Sequence, residues 1–500
     1  MSGTLERASR AAPWSLAAKA IRFVFSMGTS MLVVRLLPAE EYGVLAIVRT
    51  IVLFAGALAG FGLGNALNRF LPERETRKSG SRDFFTGCLA LQGAGWAFFT
   101  VLVFVLRGPI DRMYGSPIGT PLLAGVALLS GNMLFQLVGL ALTATFRTKR
   151  LAFLQGALSA AVLFITWGAL RAGWGVIGVL ASASLPYLAV GVWAILRLRP
   201  TLAGGSTPPE WKRLFRYALP LAAIQILNLI TWQQSETLLL GHFRGPVEAG
   251  IFDIAYRIPQ LLLAFVPETI WPIVLAAFVE VYTRDRRRIE EMVGHYFRVL
   301  FLLVTPITLF GALYGDLLIQ VLYGAERALS GSYARIFFII FHFSFFGTPF
   351  SMALYLIEKT WVNLVLAAVF AVINLGLDLI LIPRYGLPGA IPPVAIAIGI
   401  SPLLRWAALR NLHGPVPIPW AFLGRCYAAS ASLVLLYPLR SLAGNAWGFG
   451  LLLLLAAVVL AAAFRFARPI GPEERLLFER SNLPGKRWIE WWLGSTGIPR

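Results

Sequence analysis

The chain has 500 residues, of which 58% are hydrophobic and 14% charged, and its formal net charge is +20. Soluble domains usually carry about a quarter charged residues, so this composition excludes an ordinary water-soluble protein. The positive charge lies in short clusters between apolar stretches, where basic residues set membrane orientation, and this placement argues against a nucleic-acid partner.

Stretches of about 20 apolar residues recur along the chain, and each is long enough to cross the hydrocarbon core of a bilayer. Backbone polar groups inside lipid need partners, which leaves helices or closed barrels as spanning structures. The run at 451–460, Leu-Leu-Leu-Leu-Leu-Ala-Ala-Val-Val-Leu, lacks the alternating polarity of a barrel strand. The sequence therefore predicts an all-α polytopic membrane protein of about fourteen transmembrane helices. The predicted spans are 13–37, 42–69, 84–106, 118–145, 151–171, 175–197, 214–240, 246–280, 293–314, 332–357, 361–382, 387–409, 420–437 and 446–466.

The loops between these spans predict the topology. One set of alternate loops and both termini hold about 27 Lys and Arg residues, whereas the other set holds about 7. Basic residues concentrate on the cytoplasmic side, so both termini are expected in the cytoplasm. We expect a multi-pass protein of the cytoplasmic (inner) membrane.

The spans also predict a domain organisation. A Gly-, Ser- and Pro-rich segment at 200–213 follows the sixth span and is expected to be a cytoplasmic linker. It separates an N-terminal six-helix bundle (1–199) from a C-terminal bundle (214–410). Two further helices (411–466) and a cytoplasmic tail (467–500) complete the prediction.

An internal repeat supports two related bundles. Glu41-Tyr-Gly43 follows the first span and Glu248-Ala-Gly250 follows the seventh, each before an apolar run. An even number of helices separates the two motifs, which indicates parallel repeats about an axis along the membrane normal. Such a pair of bundles is suited to alternating access.

Several longer motifs lie along the chain in a fixed order: Pro38-Ala-Glu-Glu41-Tyr42-Gly43, Gly60-Phe-Gly62-Leu-Gly64-Asn65, Arg216-Tyr217-Ala-Leu-Pro220, Asn374-Leu-Gly-Leu-Asp378 and Ile382-Pro383-Arg384-Tyr385-Gly386. Through these motifs the chain is similar, from residue 13 to about 410, to the polysaccharide-biosynthesis flippases, which are the O-antigen and exopolysaccharide translocases of the multidrug/oligosaccharidyl-lipid/polysaccharide exporter superfamily.

The resemblance implies a fold like that of multidrug-and-toxin-extrusion transporters, with two six-helix bundles in a V shape and two extra C-terminal helices. It also implies a function. The expected cargo is a polyprenyl-diphosphate-linked oligosaccharide, moved from the inner to the outer leaflet for O-antigen, capsule or exopolysaccharide assembly. The expected partners are this lipid-linked glycan, the bilayer, and a polysaccharide polymerase or other assembly proteins.

Basic residues inside the spans are candidates for substrate binding, because ionisable groups at membrane depth are costly. Lys19 and Arg22 lie three apart on one face of the first span, Arg49 lies in the second and Arg257 in the eighth. The resemblance implies that these spans line the cleft, where fixed cations would bind a diphosphate. Two alternatives remain open: Lys19 extends to the cytoplasmic surface, or Arg257 forms an i,i+4 pair with Asp253.

Acidic residues at membrane depth are the second group of candidates. Glu236, Asp253, Glu268 and Asp378 are hypothesised to couple transport to protons or sodium, as carboxylates do in proton relays. The alternative is that they neutralise the nearby basic groups.

No catalytic residue, cofactor or metal site is predicted, and the chain is not expected to be an enzyme. It has no Gly-x-x-x-x-Gly-Lys-Ser/Thr loop for a nucleotide, and its four histidines have no partner at metal-ligand spacing. Short outer loops argue against a membrane glycosyltransferase or polymerase, and basic spans argue against a drug/cation antiporter. A flippase for lipid II, the peptidoglycan precursor, is the alternative hardest to separate from the predicted function.

Overall fold

A computed structural model describes residues 21–78, 80–144, 148–199, 202, 204, 210–232, 235–284 and 288–467. These residues are almost entirely helical, and no strand occurs among them. The α-helices are α1 (21–36), α2 (Ala39–Gly60), α3 (Leu63–Arg77), α4 (Ser81–Tyr114), α5 (Gly119–Ala144), α6 (Thr148–Arg171), α7 (Gly175–Leu198), α8 (Trp211–Trp232), α9 (Ser235–Arg244), α10 (Pro246–Arg284), α11 (Ile289–Tyr323), α12 (Ala328–Leu356), α13 (Thr360–Tyr385), α14 (Ile391–Leu412), α15 (Trp420–Ala431) and α16 (Ala446–Ala467).

The predicted fold class is confirmed. Within the described part of the chain, thirteen helical segments are long and apolar enough to cross a membrane. The first predicted span is represented by α1, of which residues 21–36 are described. The protein is therefore an all-α, multi-pass membrane protein with about the predicted number of helices.

Four predicted spans are not single α-helices, and one of them, at 387–409, begins with a 3-10 helix at Leu387–Ala390 before α14. The span predicted at 42–69 breaks after α2, because Phe61 and Gly62 adopt left-handed backbone conformations. Gly62 is needed there, since a Cβ atom on it would overlap the carbonyl group of Ala218 in α8. The span predicted at 214–240 consists of α8 and α9, and the one at 420–437 continues from α15 into a 3-10 helix at Ser432–Ala443.

The helices form two compact units. The first takes its described residues from Met1–Asp253 and Ala371–Pro393, and the second from Ile254–Phe370 and Val394–Arg500. The divisions fall inside helices, so α10, α13 and α14 each contribute to both units. The predicted bundle boundaries at 199, 214 and 410 do not coincide with these divisions and stay a prediction. The predicted cytoplasmic tail also stays a prediction, because residues 468–500 lie outside the described residues.

The internal repeat marks a close helix crossing in the first unit. The start of α2 and the start of α10 meet at Gly43 and Gly250, where a Cβ on Gly250 would lie 3.1 Å from the Cα of Gly43. A Cβ on Gly43 would overlap the carbonyl group of Pro246. Glycine is required at this position because two backbones lie in contact. A separate apolar core in this unit joins α3, α4, α5, α7 and α8.

The second unit contains the two C-terminal membrane segments. Leu433, Phe449 and Leu452 pack with Tyr314 and Leu317 of α11 in one buried cluster. The Tyr314 hydroxyl donates a 2.8 Å hydrogen bond to the carbonyl oxygen of Leu433. Arg440 forms an ion pair with Asp316 and donates a hydrogen bond to the Leu313 carbonyl oxygen. The extra C-terminal helices are thus an integral part of the second unit.

Candidate functional site

Three buried polar side chains of the first unit form one cluster, which we call the carboxyl–amide cluster: Glu236 of α9 and Asn374 and Asp378 of α13. The Asn374 Nδ2 atom donates to Glu236 Oε1 at 2.8 Å and to Asp378 Oδ2 at 3.1 Å. Glu236 is 1% exposed, and the other two side chains have no exposed surface. Two carboxyl groups therefore lie within hydrogen-bonding distance of one nitrogen atom, away from solvent.

The carboxyl–amide cluster contains more acceptors than donors. Asn374 Oδ1 and Asp378 Oδ1 are buried and have no hydrogen-bond partner. Burying two bare carboxylates together is strongly unfavourable, since each loses its hydration and repels the other. The arrangement is therefore suited to taking up a proton or a small cation, whose charge the oxygen atoms would share.

Local structure explains why these side chains meet. Asn374 and Asp378 are four residues apart on one face of α13. Glu236 lies in the first turn of α9, where the Ser235 hydroxyl donates to the Ile230 carbonyl oxygen at 2.9 Å. Negative charge is favourable at a helix N-terminus, so α9 itself helps to hold the Glu236 carboxylate.

Contacts at the other ends of α9 and α13 hold the two helices together. Arg244, the last residue of α9, donates 3.0 Å hydrogen bonds to the carbonyl oxygens of Pro383 and Arg384. Glu248, just beyond it in α10, accepts a 2.8 Å hydrogen bond from the Leu387 backbone N–H. These charge-assisted bonds fix the spacing of the helices that carry the carboxyl–amide cluster.

Asp253, the third predicted coupling acid, has a hydrogen-bond partner on another helix. Asp253 is fully buried and accepts a 2.6 Å hydrogen bond from the Tyr42 hydroxyl, which links α10 to α2. The side chain of Glu268 lies outside the described residues. Of the four predicted acids, the structure brings together Glu236 and Asp378, and it adds Asn374 to them.

The predicted cationic residues occupy different positions. Arg22 is exposed on α1 and Arg49 is half-buried on α2, both in the first unit. Arg257 is half-buried on the part of α10 that belongs to the second unit. Lys19 lies outside the described residues. The joint role predicted for these four cations stays a prediction.

The first unit also contains a cavity that the sequence analysis did not predict. Its volume is ≈ 710 Å³, and segments of α2, α3, α4, α5 and α8 line it. We call it the amide cavity, after its five carboxamide side chains: Asn68, Gln92, Gln136, Gln225 and Asn228. A signal was present in the sequence, because Gln225 and Asn228 are three residues apart on one face of an otherwise apolar helix.

A second buried polar cluster lies in the second unit, and we call it the imidazole cluster. His342 of α12 is hydrogen-bonded through Nδ1 to the Thr308 hydroxyl at 2.9 Å and through Nε2 to the Tyr427 hydroxyl at 2.5 Å. The His342 ring also contacts Phe301 edge to face, with 5.3 Å between the centroids. These contacts join α11, α12 and α15.

The remaining side chains of interest are those that commonly bind metal ions. They contain no group of three or more His, Cys, Asp and Glu side chains placed to hold a metal ion. Cys88 and Cys426 are both buried thiols in separate units.

Comparisons with known proteins place these features in a family context. The profile of the family described as polysaccharide biosynthesis protein matches residues 32–330, which is more than half of the chain. A succinoglycan biosynthesis transport protein, ExoT, from Rhizobium meliloti (strain 1021) is 24% identical over 282 residues. That match covers 55% of this chain and 54% of the relative, so the chain spans about half the length of the curated relative it matches.

Solved structures show the same fold at low sequence identity. The lipid II flippase MurJ in an inward closed conformation is 14% identical, with a TM-score of 0.71 over 91% of this chain and 98% of that chain. An inward-facing multidrug resistance MATE family transporter of the MOP superfamily is 15% identical, with a TM-score of 0.63 over 80% and 98%. The chain thus has the fold of these transporters, and the family match confirms the resemblance read from the sequence: this membrane protein belongs to the polysaccharide biosynthesis protein family.

Proposed function

We propose that this protein is a flippase that moves a polyprenyl-diphosphate-linked oligosaccharide from the inner to the outer leaflet of the cytoplasmic membrane by alternating access. The product would serve O-antigen, capsule or exopolysaccharide assembly. Family membership and the named role of the Rhizobium relative in succinoglycan transport support the choice of cargo. The structural observation that carries the transport proposal is the carboxyl–amide cluster, because buried acids within a membrane domain are typical of ion pathways.

The carboxyl–amide cluster is the proposed coupling site. Binding of sodium or a proton to Glu236 and Asp378 would neutralise the paired carboxyl groups, and Asn374 would orient both of them. An ion that binds one conformation more tightly than another shifts the population toward it, which is how an ion gradient drives alternating access. The roles first predicted for Asp253 and Glu268 are retained only as predictions.

The basic residues are the proposed contacts for the anionic diphosphate. Arg22, Arg49 and Arg257 are the proposed contacts, with Lys19 as a further candidate. Arginine suits this role because its planar guanidinium group donates two parallel hydrogen bonds to phosphate oxygens. The proposal includes cytoplasmic termini and a polysaccharide polymerase as a partner, both from the sequence analysis.

A lipid II flippase is the second candidate. The observation that favours it is the fold similarity to the lipid II flippase MurJ over 91% of this chain. At 14% identity this similarity reaches only the fold. The two candidate substrates share a lipid diphosphate and differ in the attached glycan. An experiment must therefore identify which lipid-linked glycan the protein transports.

A sidedness assay tests the proposal. In cells that lack this protein, an impermeant lectin or glycosidase should fail to reach the lipid-linked glycan, which accumulates in the inner leaflet. Wild-type protein should restore access, whereas Arg49→Glu should not, because it replaces a cation for the diphosphate with an anion. Lys359→Glu makes the same charge change at an exposed loop residue and should restore access fully.

The outcomes separate the candidates. Normal access to the glycan without this protein would contradict the flippase proposal. Accumulation of lipid II instead of a polysaccharide precursor, together with rescue of cells that lack their lipid II flippase, would establish the second candidate. Rescue by Arg49→Glu would leave the flippase proposal standing and remove Arg49 from the binding site.

A further inference from the structure

The amide cavity has the size and position of a ligand site. Its ≈ 710 Å³ volume falls within the range of about 300–1,000 Å³ that is usual for sites of drug-sized molecules. All the elements that line it belong to the first unit, and its lining residues lie in predicted membrane spans. Polar groups at membrane depth are costly, so five carboxamides around one space require an explanation.

The lining chemistry indicates an uncharged, hydroxyl-rich ligand. None of the described lining residues is ionisable. Each carboxamide presents two N–H donors and one carbonyl acceptor. The cavity therefore offers both donors and acceptors to the hydroxyl or acetamido groups of a sugar. Among the described lining residues, a diphosphate would find no cation and a cationic drug would find no carboxylate.

One side chain that lines the cavity has an unpaired polar atom. Gln92 is 5% exposed, and its Oε1 atom is buried without a hydrogen-bond partner. Buried polar atoms in folded proteins are nearly always paired with protein or ordered water. A cavity of this size and polarity would hold water in the unloaded protein, and sugar hydroxyls can replace such water while they reproduce its hydrogen bonds.

The backbone at the cavity wall leaves room for the ligand. A Cβ atom on Gly60, at the end of α2, would meet no other atom within 4 Å. The remaining four carboxamides, unlike Gln92, are exposed at the accessible part of the cavity: Asn68, Gln136, Gln225 and Asn228. The cavity thus combines a buried acceptor with accessible donors and acceptors.

We propose that the amide cavity binds an uncharged sugar residue of the transported glycan, through hydrogen bonds from its carboxamides. This inference rests on the proposed function and assigns the recognition of neutral sugar groups to the first unit. Glycan selectivity would then depend on the amide cavity, separately from the arginines that are proposed to bind the diphosphate.

Saturation-transfer NMR with the full-length protein in nanodiscs tests the inference. The probes are methyl β-glucoside and N-acetylglucosamine as neutral sugars, with inorganic diphosphate as the anionic probe. Gln92→Leu removes the unpaired acceptor at similar volume and should weaken sugar binding about fivefold, the effect of losing one neutral hydrogen bond. Gly60→Leu places a branched side chain in the cavity and should reduce sugar binding, while neither substitution should alter diphosphate binding.

Gly93→Leu is the matched control. Gly93 is an exposed helical glycine next to Gln92, it does not line the cavity, and a Cβ on it would also meet no atom within 4 Å. This variant should bind the sugars as wild type does. Equal sugar signals from wild type and both cavity variants, including no signal from any of them, would overturn the inference.

The cell assay separates this inference from the proposed function. If wild type exports the glycan and both cavity variants export it equally well, the sugar site is wrong and the flippase proposal stands. If wild type exports no lipid-linked glycan but binds neutral sugars through Gln92 and Gly60, the flippase proposal fails and the sugar site stands.

Discussion

The two units each bury a polar cluster, and the clusters differ in how completely their atoms are paired. In the imidazole cluster of the second unit, both ring nitrogens of His342 have hydroxyl partners. In the carboxyl–amide cluster of the first unit, the Oδ1 atoms of Asn374 and Asp378 have none. A fully paired cluster stabilises the fold, whereas unpaired buried acceptors cost stability and are retained where a ligand completes them. The comparison predicts a structural role for the imidazole cluster and supports the coupling role proposed for the carboxyl–amide cluster.

Loss of transport is the largest effect that this comparison predicts. Asp378→Asn and Glu236→Gln should each lower glycan export by about 5- to 150-fold. This range corresponds to the coupling free energies that usually link two binding sites, here those for the ion and the glycan. Each variant removes one negative charge from the carboxyl–amide cluster and keeps the shape of the side chain. Rates in the sidedness assay, normalised to protein in the membrane, provide the measurement.

Glu326→Gln is the control for this prediction, because it makes the same chemical change at an exposed acid of the second unit. It should export at the wild-type rate. Normal export by both Asp378→Asn and Glu236→Gln would show that the carboxyl–amide cluster does not couple ions, and the contrast between the two clusters would then have no functional meaning.

The sequence analysis selected two of the three residues of the carboxyl–amide cluster. Glu236 and Asp378 were selected because acids at membrane depth are costly, and this criterion needs no knowledge of packing. Asp253 met the same criterion. Its hydrogen bond from the Tyr42 hydroxyl joins residues 211 positions apart, and no local sequence pattern predicts that contact. Asn374 was not predicted as a site residue, because the criterion selected ionisable residues and an amide is uncharged. The amide cavity was missed for the same reason.

The fold was more predictable than the site. Hydrophobic length alone places the membrane helices, since the bilayer demands about 20 apolar residues per span. The interruptions within spans were not predicted, because they depend on tertiary contacts. The break at Gly62 follows from the proximity of the Ala218 carbonyl group in α8, and hydropathy contains no information about that contact.

A loss of stability is the second predicted effect. His342→Leu should lower the free energy of unfolding by about 2 kcal/mol or more, since the buried hydroxyl of Thr308 and that of Tyr427 each lose a partner. Export per folded molecule should not change. Thermal unfolding in detergent measures the first quantity, and the sidedness assay measures the second.

A neighbouring residue provides the control for this variant. Phe343→Leu changes the next side chain on α12, which is 49% exposed, and should affect unfolding far less. In contrast, Glu236→Gln should unfold at or above the wild-type temperature, because it relieves a buried charge. A stable His342→Leu protein that exports nothing would reverse the roles assigned to the two clusters.

The smallest predicted effect identifies the coupling ion. Replacement of choline chloride by sodium chloride at constant ionic strength should stabilise wild type by about 1.4 kcal/mol when sodium is at ten times its dissociation constant. Asp378→Asn should lose this stabilisation, because it removes a negative oxygen ligand, while His342→Leu should keep it despite its lower starting stability. A sodium effect that persists in Asp378→Asn would place the ion elsewhere. No sodium effect in wild type, combined with lost export in Asp378→Asn, would mean that the carboxyl–amide cluster carries protons, since a proton can neutralise a buried carboxyl pair without any metal ligand.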